Sequence, residues 1–196
     1  MAPSDTVDPL ASNAPEAPKR GRGRPPRSAE ETEAVRALIQ RATAQVMAER
    51  GYHGVSVELI LQASGLSRPT FYRYYSNSQE IIEIILRDTH DRLLNGVVGA
   101  VRAAEGPLQK VEAGLMAWRQ WGEDTGPLLR AIFAEITDPH SPAATHRRRA
   151  VHAIVDEINA VATQLGRAPF DPLHIDTFLI GVEHLGYHFH FSDEGR

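Results

Sequence analysis

Between residues 106 and 172 the chain sets a proline directly behind a capping-type residue four times, at Gly106-Pro107, Gly126-Pro127, Ser141-Pro142 and Asp171-Pro172. Proline has no N–H to lose in a first helical turn and its fixed φ suits one, so each pair predicts a helix start. Apolar residues then recur at helical spacing, most clearly Val151, Ile154, Val155, Ile158, Val161, Ala162 and Leu165, closed by Gly166. A last helix carries Phe178, Val182, Leu185 and Phe189. No run alternates apolar and polar residues as a half-buried strand would. The expectation is an all-α protein of about eight helices.

The first hundred residues are punctuated more tightly. Glu30, Glu31 and Glu33 suit a helix N-terminus, and Val35, Leu38, Ile39, Ala42 and Val46 follow at helical spacing until Gly51 offers a stop. Ser56 can cap a second helix running through Ala63, with Val55 and Ile60 placed as a hydrophobic staple and Gly65 as its left-handed end. Ser67 can cap a third, with Leu66 and Phe71 as staple and Pro69 in the first turn. Two short helices joined by a tight glycine turn form a helix-turn-helix signature. Asn77 caps a fourth helix, with Glu80 at the reciprocal capping-box position and Ile81, Ile82, Ile85 and Leu86 on its apolar side. The predicted organisation is an arm over 1–29, a three-helix helix-turn-helix unit over 30–76, and a larger helical bundle over 77–196.

Charge qualifies this plan. The chain has a net charge of -4, yet Lys19, Arg20, Arg22, Arg24 and Arg27 put five cations into nine residues, while residues 28–80 stand at -1. An anionic partner feels local charge, so the arm is its natural contact. The arm holds six of the thirteen prolines and little apolar surface, which predicts disorder. Its Arg22-Gly23-Arg24-Pro25 stretch resembles the core of an AT-hook, whose arginines lie in a narrow A·T minor groove. The alternative is a solvated basic tail that adds only non-specific affinity. With no cysteine, thiolate catalysis, disulfides and thiol redox sensing are excluded. No apolar run is long enough for a membrane span and no secretory leader is evident, so a cytoplasmic, membrane-free protein is expected.

The run from Val57 to Ile82, VELILQASGLSRPTFYRYYSNSQEII, resembles the signature of the TetR family of bacterial transcriptional regulators. The resemblance reaches back to about Val35, while the C-terminal half is similar only in helix number and length. It implies a homodimer that binds double-stranded operator DNA and responds to a small-molecule effector, with repression the expected mode. It further implies that Thr70, Tyr72 and Tyr74 meet phosphates through their hydroxyls, that Arg73 lies near bases or backbone, and that Phe71 and Tyr75 are core. Physical reasoning adds the helix ends at Ser56 and Ser67, whose N–H groups favour phosphate, and Arg68, able to contact guanine bidentately. The competing reading makes Tyr72, Tyr74 and Tyr75 all packing residues. Two departures from the family pattern stand out: Ser78 occupies a position where lysine is usual, and Glu58 is expected to repel phosphate.

In the C-terminal half Met116, Trp118, Trp121, Phe133, Phe178 and Tyr187 are either core residues or the lining of a cavity for a largely apolar effector. His184 and His188 share a helix face near Glu183 and His190, which suits histidines at a subunit interface better than a metal site. Arg147, Arg148 and Arg149 are expected to be a solvated face. The two longest apolar stripes, Ala143–Leu165 and Pro172–His190, are the predicted dimer-forming helices. No phosphate-binding glycine loop, HExxH or GxSxG motif is present, so no cofactor and no enzymatic role is expected. A ligand-independent architectural DNA-binding protein is the remaining alternative.

Overall fold

A computed structural model of the protein describes residues 28–191, with side chains as far as His188. The Arg20, Arg22 and Arg24 arm and the side chain of His190 therefore lie outside what is described. Eight α-helices and no strand are found among the described residues.

Helix α1 spans Ala29–Arg50, and Gly51, at φ 76°, takes its C-cap. Its N-cap is Ser28, in a full capping box with Glu31, a pair the acidic run at 30–33 concealed from sequence inspection. Helix α2 is Val57–Ser64, capped by Ser56 and ended by left-handed Gly65. Helix α3 is only Arg68–Tyr72, capped by Ser67, and i→i+3 and i→i+4 bonds continue its winding to Tyr75. Helix α4, Ser78–Ala103, is the longest at 26 residues. Asn77 caps it as expected, but the Glu80 carboxylate accepts from the Ser76 N–H at 2.7 Å, so the anticipated reciprocal bond falls one residue earlier.

Helices α5 (Pro107–Thr125), α6 (Leu128–Glu135), α7 (Pro142–Gln164) and α8 (Pro172–Phe191) begin at or beside the four proline pairs. One pair works differently from the expectation. Gly126 ends α5, and Pro127, in αR geometry, is itself the cap residue of α6. Helix α7 ends in a Schellman arrangement about Gly166, with Arg167 N–H donating to Ala162 and Gly166 N–H to Thr163.

Two cores hold these helices. In the first, Ile39 and Met47 of α1, Ile60 of α2 and Phe71 of α3 pack on Ile81, Ile82 and Leu86 of α4, and Leu128 and Ile132 of α6 join them. The second gathers Leu93 and Val97 of α4, Ile154 of α7, and the half-buried Trp118, Trp121, Ile158 and Leu179. Helix α4 thus passes through both. No helix among the described residues is long and apolar enough to cross a membrane.

Candidate DNA-reading surface and ligand cavity

Aromatic residues at 71, 72, 74 and 75 cannot all face one core, because successive helical positions turn by about 100°. The structure sorts them. Phe71 and Tyr75 are buried, and the Tyr75 hydroxyl accepts from the Gln40 amide at 3.2 Å. Tyr72 is 48% exposed and meets Phe71 edge-on. Tyr74 is half-buried, with the Arg36 guanidinium over its ring at 5.8 Å and over that of Tyr75 at 5.7 Å. Arg68 and Arg73 are exposed on the same short segment as Tyr72. Ser56 and Ser67 act as caps, their hydroxyls accepting from Leu59 and Thr70 N–H. The half-buried Thr70 hydroxyl lies 2.9 Å from that of Ser67, so it is tied to the cap.

Glu58 is not the bare repulsive charge that its position suggested. It forms an ion pair with the Arg68 guanidinium. Hydrogen bonds from Arg68 hold the Glu58 carboxyl below the usual carboxylate range, and the same pairing, with the nearby Tyr72 hydroxyl, raises Arg68. The α2 and α3 first turns are therefore linked on the exposed side by one acid and one base.

The C-terminal helices enclose two adjoining spaces. The outer is about 420 Å³, walled by one face each of α4, α5 and α7 and by Phe178 and Leu179 of α8. On α5 that face is Val111, Gly114, Leu115 and Trp118, at i, i+3, i+4 and i+7. Met116, one position on from Leu115, is turned outward at 56% exposed and lines neither space, contrary to expectation. The inner space is about 40 Å³, with Trp121 and Phe133 in its wall beside His90 and the Arg147–Glu183 pair. Tyr187 reaches it only indirectly, edge-on to Phe133 at 5.3 Å.

Three polar features of this half escaped sequence reasoning. Arg147 does not belong to a solvated face: its side chain is 17% exposed and bonds both Glu183 oxygens at 2.7–3.0 Å. Arg149 pairs with Asp91 and approaches His146, while Arg148 donates to the Thr145 hydroxyl at 3.1 Å. Lys110 and Arg167 line the outer cavity, where Glu157 is held bidentately by Arg102. No sequence motif marks either cation. With Glu183 turned to Arg147, the His184 and His188 rings lie 4.6 Å apart and Tyr187 meets His188 edge-on at 6.2 Å, and no cluster of three metal-capable groups exists among the described residues.

The described residues thus form a capped helix-turn-helix on a two-core helical bundle, with Arg68 and Tyr72 exposed. Residues 39–85, which hold the helix-turn-helix, match the family model of bacterial regulatory proteins, tetR family. The HTH-type transcriptional activator FasR of Mycolicibacterium smegmatis is 29% identical over 104 residues, covering 52% of this chain. The chain spans about half the length of that relative, 48%. Among solved structures, a TetR family transcription regulator from Marinobacter aquaeolei aligns at TM-score 0.65 with 20% identity, covering 84% of this chain and 91% of that one. The regulator FadR from Bacillus subtilis, in complex with stearoyl-CoA, aligns at TM-score 0.67 with 14% identity, covering 82% and 89%. At such identities the likeness establishes a shared fold.

Proposed function

We propose that this protein is a DNA-binding transcriptional regulator that works as a homodimer and changes its operator affinity when an apolar small molecule occupies the outer cavity. The observation that carries the reading is the division of α3: Phe71 is locked in the first core while Arg68 and Tyr72 face outward from a capped first turn. A rigidly seated short helix presenting one arginine suits insertion into a major groove. Ser56, Ser67, Thr70, Tyr72, Arg73 and Tyr74 would fix its register on phosphates, with Arg20, Arg22 and Arg24 of the arm adding charge. The 30–76 unit reads DNA in this scheme, and the 77–196 bundle binds effector and partner subunit.

The effector reading rests on the outer cavity, whose walls are apolar apart from Lys110, Arg167 and Glu157. Trp118 and Phe178 are wall residues there, and Trp121 and Phe133 back the inner space. A fatty acyl compound fits this character, and a protein of the same fold binds stearoyl-CoA. For the dimer, α8 presents Leu173, Ile180 and Leu185 outward and leaves open space above Gly181. The deciding experiment is a footprint and mobility-shift series on the operator with Arg68→Ala. The expected loss is about 1–3 kcal/mol at one base pair of each half-site, with relaxed preference there. Unchanged sequence preference would remove Arg68 from the base-reading role.

A further inference from the structure

The outer and inner spaces share a wall of Ile154, Leu179, Val182 and Trp118, and the indole of Trp118 stands between them. Its position is unusually constrained. A methyl group built on Gly186 of α8 would fall 1.7 Å from Cη2 and 1.9 Å from Cζ3 of that ring, so only glycine at 186 lets the indole sit there. On its other side Trp118 tilts against Trp121 at 6.2 Å between centroids. Trp121 is tethered in turn, its Nε1–H donating to the Thr89 carbonyl at 2.9 Å. The ring is therefore braced between α8 and an anchored neighbour.

The far end of the outer cavity has a different character. Lys110 lies eight residues before Trp118 on α5, about 12 Å along the helix axis. The Lys110 ammonium donates one hydrogen bond to the Val101 carbonyl at 2.8 Å and keeps its charge, Arg167 follows the end of α7, and the single acid of the lining, Glu157, is neutralised by Arg102. The cavity thus has a cationic end and, two helical turns away, an aromatic end with apolar walls between.

We propose that Trp118 sets the length of the ligand: an unbranched acyl chain lies along the outer cavity with its anionic head toward Lys110 and Arg167, and its methyl end stops against the indole. This rests on the reading of the outer cavity as the effector site. While the chain is growing into apolar space each added methylene raises affinity about fourfold, and the gain ends where the chain meets the braced ring.

The test is calorimetric titration of the full chain with saturated acyl-CoA thioesters of increasing length, for the natural protein, Trp118→Ala and Trp118→Phe. In the natural protein affinity climbs and then levels. In Trp118→Ala the levelling point moves to longer chains, short thioesters keep their affinity, and the longest gain tenfold or more. Trp118→Phe moves it in the same direction by less and carries the test alone if the alanine variant does not fold. A levelling point that stays in place, or a uniform loss at every length, overturns the assignment of Trp118 while leaving the effector site standing. If no thioester of any length binds, the acyl reading of the cavity falls together with this one, and operator binding is untouched.

Discussion

At the scale of single residues, two side chains carry consequences that their neighbours determine. The Glu58–Arg68 pair sets a carboxylate beside the arginine proposed to read bases, where it would cost attraction to every phosphate but orients the guanidinium. Glu58→Ala is expected to tighten binding to random DNA and to lower the ratio of operator to random affinity, measured side by side in mobility-shift titrations. An unchanged ratio would mean that the pair has no part in discrimination. His90 is buried beneath α7, its Nδ1 2.8 Å from the Leu86 carbonyl and its ring stacked on His146. Burial holds its pKa below the ordinary 6.5, against the hydrogen bond to the Leu86 carbonyl and the charge of Asp91, with His146 and Arg149 adding to the depression. The unfolded chain therefore takes up this proton first on acidification, so the stability is whole above about pH 6.5 and declines as pH falls further. His90→Gln should flatten the fall in melting temperature between about pH 7 and 5.5 relative to the natural protein.

At the scale of elements, α8 is the least satisfied helix: Leu173 and Leu185 are each 70% exposed, and Phe178 and Ile180 about half. Such a face on a helix that also packs inward calls for a partner. Leu185→Lys is expected to shift the protein toward monomer in sedimentation at micromolar concentration and to weaken operator binding with it. A natural protein that sediments as a monomer with and without DNA would refute the dimer.

Helix starts were legible because caps act over three residues. Ser56, Ser67, Asn77 and Ser141 each do locally what their sequence neighbours imply. Cavity membership was not legible in the same way, since it depends on how each helix is rotated about its axis. One residue separates Leu115, inside, from Met116, outside, and nothing in the apolar pattern distinguishes them. Arg147 escaped for a related reason: its partner Glu183 is 36 residues away on another helix.

At the scale of the whole molecule, the proposed DNA contact would set a helix-turn-helix with a net charge of -1 over residues 28–80 against a polyanion. Removal of residues 1–27 is expected to weaken operator binding and to reduce the slope of log affinity against log salt by about 0.9 for each lost phosphate contact. If the AT-hook resemblance holds, the penalty is larger for operators flanked by A·T tracts than by G·C. Equal slopes and equal flank preference would reduce the arm to a tail. Coupling between the two halves can be tested by reciprocity: effector affinity must change on saturation with operator by the same factor as operator affinity changes on saturation with effector. The passage of α4 through both cores gives that coupling a mechanical scale. From the cavity wall at Val97 to its cap at Asn77 the helix is a rod of roughly 30 Å, and a tilt of roughly 6° at the cavity end sweeps the other end by about 3 Å. In a two-fold pair the displacements add, to about 6 Å against the 34–36 Å repeat of the groove. On the proposed reading the rod would magnify, turning an adjustment small enough for packed side chains to absorb at one end into a misfit of nearly two base-pair steps at the other.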